Sequence, residues 1–119
     1  MRVLVVEDES IIAQDIAWIV ENLAGYTVAG IANSVGAALE IVADGQFDGA
    51  VLDANLDGQS SETIANELKR KNVPFLILSG YVLQNLLPPA LAEAPFLQKP
   101  YRECDLVRRL RDLLPAGSG

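Results

Sequence analysis

Four uninterrupted apolar runs punctuate the chain, and each leads into a residue able to do chemistry. Val3-Leu4-Val5-Val6 runs into Glu7-Asp8, Ala50-Val51-Leu52 into Asp53, Phe75-Leu76-Ile77-Leu78 into Ser79, and Phe96-Leu97, after Gln98, into Lys99. Short apolar runs without polar alternation predict strands buried on both faces, as in a parallel sheet. A weaker run, Thr27 to Ile31, is interrupted by Gly30, which an edge strand or a close backbone approach tolerates.

Between these runs the spacing becomes helical. Ile12, Ile16, Ile19, Val20 and Leu23 predict the core stripe of a helix that has Ser10 near its start and ends at Gly25. The carboxylates of Glu7-Asp8-Glu9 suit the dipole at its beginning, and Ile11 and Trp18 read as the rim of its core face. Asn33 and Ser34 offer capping oxygens to a second helix with Ala38, Ile41 and Val42 inward, closed by Asp44-Gly45. Ser60 or Ser61 caps a third, which packs through Ile64, Ala65 and Leu68 and ends in a solvated Lys69-Arg70-Lys71 turn. Val82 to Leu87 begin a fourth that Pro88-Pro89 cannot continue, so this element is expected to be short or distorted. The last helix, about Tyr101 to Leu114, is expected to bury Leu106, Val107, Leu110 and Leu113, with Glu103 and Asp105 early and Arg108, Arg109 and Arg111 late.

Strand and helix thus alternate through five strands, which predicts an α/β fold: a doubly wound parallel sheet with helices on both faces. If the strand order is 2-1-3-4-5, as in flavodoxin-like folds, the first and third strands flank a switch point and bring Asp8 and Asp53 side by side at the sheet's carboxyl edge. Residues 1–114 read as one domain and 115–119 as a flexible tail.

Composition narrows the chemistry. With 119 residues, half of them hydrophobic, the chain has room for one core and not for two. A net charge of −7 argues against nucleic acid as a direct ligand, since phosphate backbones are held by Lys and Arg. No apolar run is long enough to span a membrane and no leader precedes Val3, so a soluble, cytoplasmic protein is expected. The lone Cys104 reads as a small helical residue, unable to form an internal disulfide. There is no histidine, which removes Ser-His-Asp and Cys-His nucleophiles and most zinc sites.

What remains for metal chemistry is oxygen, suited to Mg²⁺, Mn²⁺ or Ca²⁺. Converging carboxylates repel unless one is protonated or a cation sits among them. Glu7, Asp8, Asp53 and the backbone carbonyl of Asn55 are suitable partners for Mg²⁺, which also takes substrate phosphate oxygens. Asp53 is then the expected nucleophile for a phosphoryl group, with Lys99 and the Ser79 hydroxyl holding its remaining oxygens.

On Val5 to Glu9, Leu52-Asp53 with Asn55-Leu56 and Gly58, Leu78-Ser79-Gly80 and Leu97-Gln98-Lys99-Pro100, the chain resembles a response-regulator receiver domain over nearly its full length. The resemblance implies Glu7 and Asp8 as Mg²⁺ ligands, Asp53 as phosphoacceptor, Ser79 as switch hydroxyl, Phe96 as switch aromatic and Lys99 as the phosphate-pairing lysine. It also implies a cis bond before Pro100 and a phosphohistidine donor on a sensor histidine kinase or histidine phosphotransfer protein. Pro74-Phe75 and Ser79-Gly80-Tyr81 are similar in part to FATGUY-type single-domain receivers, although Ile77-Leu78-Ser79 stands where that signature has Phe-Ala-Thr. Asp57 stands where many receivers have proline. Phosphorylation is then expected to draw Ser79 inward and let Phe96 change rotamer, with output through contact with a downstream protein.

On this reading the chain is no enzyme beyond its own phosphorylation and dephosphorylation. Two alternatives stand beside it. A small Mg²⁺-dependent phosphohydrolase with an aspartyl nucleophile would need a general acid and a substrate cap, for which the chain leaves little room. A non-phosphorylated docking module would not need Asp8, Asp53 and Lys99 together.

Overall fold

Each of these apolar runs is a strand in the computed structural model, which describes residues 1–56, 59–80 and 94–114. The strands are β1 (Arg2–Val6), β2 (Thr27–Ala32), β3 (Gly49–Asp53), β4 (Asn55–Leu56), β5 (Gln59–Ser60), β6 (Phe75–Ser79) and β7 (Phe96–Gln98). The helices among the described residues are α1 (Ser10–Asn22), α2 (Val35–Asp44), α3 (Glu62–Arg70) and α4 (Glu103–Leu113). The short helix expected near 82–87 and the tail at 115–119 lie outside the described residues.

The main sheet has the order β2-β1-β3-β6-β7, with parallel pairing throughout. This is the expected 2-1-3-4-5 order, because β4 and β5 pair only with each other, antiparallel, beside the main sheet. The short pair went unpredicted; strands of two residues carry no periodic signal.

Side chains alternate across the sheet and divide the core in two. Leu4, Val6, Leu52 and Ile77 meet Ala38 and Val42 of α2 and Ile64, Ala65 and Leu68 of α3. Val3, Val5, Val51, Leu76 and Leu78 meet Ile16, Ile19 and Val20 of α1 and Leu106 and Leu110 of α4. Helices therefore cover both faces, as an all-parallel sheet requires. Burying one such large side chain contributes about 1.5–3 kcal/mol.

Punctuation follows local chemistry. Ser34 caps α2 by accepting a hydrogen bond from the Ala37 amide at 3.1 Å. At α3 the two serines divide the work: Ser60 Oγ accepts from the Glu62 amide at 3.1 Å, while the buried Ser61 hydroxyl donates to the Ala54 carbonyl at 3.3 Å. Gly25 follows α1 at φ +83°, a left-handed turn that favours glycine. On the edge strand β2 the register slips opposite Val3 and Leu4, so that Leu4 faces Gly30; this bulge accounts for the interrupted run.

Several finer expectations are corrected. On α1, Ala13 and Ala17 are buried along with Ile16, Ile19 and Val20, whereas Leu23 is 40% exposed. Ile11 is 83% exposed and stands clear of the core, whereas Trp18, 51% exposed, is half covered as a rim position would be. Lys71 is not a solvated end; its ammonium donates to the Val42 and Ala43 carbonyls and ties α3 to the end of α2. Val107 and Leu113 are only partly buried, and Leu114 is buried instead. Cys104 lies on α4 and is exposed.

Candidate functional site

Register brings the four strand ends together. Val6 pairs with Leu52, so Glu7 and Asp53 are the next residues on adjacent strands. Asp53 in turn pairs with Leu78, and Ser79 with Gln98. Backbone bonds hold the loops beyond: the Ala54 amide donates to the Leu78 carbonyl at 2.8 Å, and the Lys99 amide to the Ser79 carbonyl at 2.7 Å. The Lys99–Pro100 bond is cis, as the resemblance implied.

At this edge Glu7, Asp8 and Asp53 each offer a carboxylate oxygen within 4.8 Å of the others. Glu7, Asp53 and Ser79 are almost wholly buried, and Asp8 is partly exposed. The Lys99 ammonium donates to Asp53 Oδ2 at 3.0 Å and forms an ion pair with it. One ammonium does not balance three acids, and Glu7 carries the consequence. Its pKa is pushed up to about 8, first by burial, then by a hydrogen bond with Asp53 and the negative charge there; Lys99 acts in the opposite sense. Its Oε2 is buried without a hydrogen-bond partner among the described residues, a situation that typically costs about 1–3 kcal/mol.

This donor set fits a hard divalent cation. Three clustered carboxylates, one with an orphaned oxygen, and a chain without histidine match the all-oxygen coordination of Mg²⁺ better than that of zinc or copper.

The other expected site residues lie nearby in the fold. Asn55 opens the β4–β5 pair two positions after Asp53. Phe96 pairs with Ile77 in the sheet and packs, partly buried, against the core on the α2 and α3 side. Tyr101 was placed by sequence only at a helix start. Its pKa is pushed up to about 12, chiefly by burial and then by the charges of Asp15, Glu7 and Asp53, so its phenol belongs to the surroundings of the acid cluster. The available signal was its position two residues after Lys99.

Comparison with known proteins agrees with this geometry. The chain is 31% identical over 108 residues to the phyllosphere-induced regulator PhyR of Methylorubrum extorquens, covering 88% of this chain and 40% of that protein. It is 30% identical over 116 residues to the sensory transduction protein LytT of Bacillus cereus, covering 93% of this chain and 46% of LytT. The chain thus spans less than half the length of these relatives. Among solved structures, SdrG from Sphingomonas melonis Fr1 superposes with a TM-score of 0.80 at 33% identity, covering 96% of each chain. The PhyR receiver domain of Erythrobacter litoralis gives a TM-score of 0.83 at 26% identity, covering 97% of this chain and 90% of that one. Residues 3–111 match the response regulator receiver domain, and the chain belongs to that family.

Proposed function

We propose that the chain is a phosphoacceptor of two-component signalling: it takes a phosphoryl group from a phosphohistidine onto Asp53, in a Mg²⁺-dependent reaction, and signals through protein contact. The carrying observation is the meeting of the buried Glu7 and Asp53 with Asp8, and the Lys99 ammonium on Asp53. The donor is a sensor histidine kinase or a histidine phosphotransfer protein, and the output is a downstream protein rather than nucleic acid or membrane. Among the described residues no helix is long and apolar enough to cross a membrane.

The Glu7, Asp8 and Asp53 carboxylates, with the Asn55 carbonyl, would hold Mg²⁺, which when bound supplies positive charge against the phosphoryl oxygens. The chain's own groups do the rest. An Asp53 carboxylate oxygen attacks phosphorus in line with the histidine nitrogen; the new P–O bond forms as the P–N bond breaks, and the imidazole leaves with a proton. Lys99 then pairs with a phosphoryl oxygen in place of the free carboxylate, and the Ser79 hydroxyl donates to another. With Ser79 drawn inward, Phe96 changes rotamer and alters the surface beside β7. Water attack at phosphorus later restores Asp53, so the chain turns over only its own phosphoryl group.

Intact mass after incubation with Mg²⁺ and acetyl phosphate tests this reading. A gain of one phosphoryl group that is absent in Asp53→Asn is expected. Catalytic turnover of a small phosphoester without accumulation would instead favour a phosphohydrolase.

A further inference from the structure

Far from the acid cluster, the end of α4 is held by contacts with three different parts of the fold. The Tyr26 hydroxyl donates to the Leu114 carbonyl at 2.7 Å across 88 positions of sequence, and both residues are buried. The Leu114 side chain sits directly on the backbone of Gly49, the first residue of β3. A Cβ at Gly49 would lie 2.8 Å and 3.0 Å from the two Leu114 methyl carbons, so the close approach depends on glycine. One turn earlier, Arg111 Nη2 donates to the Leu23 carbonyl at 3.3 Å, at the end of α1.

We propose that Tyr26, Gly49 and Leu114 form a clasp that fixes the end of α4 at the amino edge of the sheet, whatever the state of Asp53. Gly49 and Asp53 are the first and last residues of β3, about 13 Å apart for an extended strand. The clasp's partners belong to the start of β2, the start of β3 and the end of α1, and none adjoins Glu7, Asp8, Asp53 or Lys99. A change of charge at the site therefore meets no clasp group directly. α4, about 16 Å long, begins just after Tyr101 beside the acid cluster and ends in the clasp. Its far end is an anchor, and the chain leaves Leu114 from a fixed position. Rearrangement on phosphorylation then leaves the amino-edge end of α4 in place. This last statement rests on the proposed function; the clasp itself does not.

Amide NMR on the full chain tests both parts. In Tyr26→Phe, exchange at Arg111 to Leu114 should accelerate at least tenfold relative to Ile64 to Leu68, with Arg111→Gln giving a smaller acceleration in the same segment. Unchanged relative exchange in both variants overturns the clasp. For the anchor, Asp53→Asn and, separately, Mg²⁺ with beryllofluoride should leave the shifts of Tyr26 and Leu110 to Leu114 in place. Displacement of these signals by either treatment overturns the anchor. Beryllofluoride that shifts no amide around Asp53 and Lys99 contradicts the functional reading, while the two Tyr26→Phe and Asp53→Asn arms still decide the clasp and the anchor.

Discussion

Lys99 Nζ lies 3.0 Å from Asp53 Oδ2, although 46 positions separate the two residues. The pairing joins the central strand to the edge strand of the same sheet and gives the acid cluster its countercharge. It also opposes a cation at the same carboxylates, since two positive charges within a few ångströms repel. Lys99→Ala should therefore tighten Mg²⁺ binding by roughly three- to tenfold while lowering the initial rate of phosphorylation by at least about tenfold, close to 1.4 kcal/mol of barrier. Calorimetric Mg²⁺ titration and a time course of intact mass check the two effects. Weaker Mg²⁺ binding in the variant contradicts the assigned role.

Glu7 makes the metal-free protein sensitive to pH. Its pKa in the fold is about 8, against an ordinary value of 4.5, so the folded state binds the proton more tightly than the unfolded state does. The resulting stabilisation is fully present below about pH 4.5 and is lost as pH rises towards 8, on the order of 2–4 kcal/mol. Urea denaturation in EDTA at pH 5 and pH 8 should show this fall after allowance for other titrating groups. Glu7→Gln should flatten it, and added Mg²⁺ should reduce it by favouring the carboxylate.

The exposed residues of α1 separate core from surface. Ile11→Gln, at a position 83% exposed, should change stability by no more than about 0.5 kcal/mol. Ile16→Ala, which empties a site 1% exposed against β1 and β3, should cost about 2–5 kcal/mol. Denaturation midpoints of the two variants check this, and a large loss in Ile11→Gln contradicts the observed phase of the helix.

Much of this was legible in the chain because parallel strands announce themselves twice. Val3 to Val6 and Ala50 to Leu52 are apolar on both faces, and the first polar residue after each marks the sheet's carboxyl edge. The convergence of Glu7, Asp8 and Asp53 followed from that edge and the strand order. The phase of α1 was less legible: Ala13 and Ala17 are buried, but alanine contributes little to a hydrophobic stripe, and Leu23 extended the stripe past its end. Lys71 and Tyr26 were invisible for another reason. Lys71 reaches carbonyls 28 and 29 positions away and Tyr26 reaches one 88 positions away, distances over which local spacing holds no information. The β4–β5 pair next to Asp53 is too short to leave a period.

The central claim is that Asp53 carries the phosphoryl group, and it is tested most directly by locating the modification. After incubation with Mg²⁺ and acetyl phosphate, borohydride reduction cleaves an acyl phosphate and converts the modified aspartate to homoserine, which peptide sequencing by mass spectrometry assigns to a position. The account predicts homoserine at position 53 alone, dependent on Mg²⁺ and absent when EDTA is present during incubation. Homoserine at position 8, or reduction at no position despite a gain in intact mass, would contradict it.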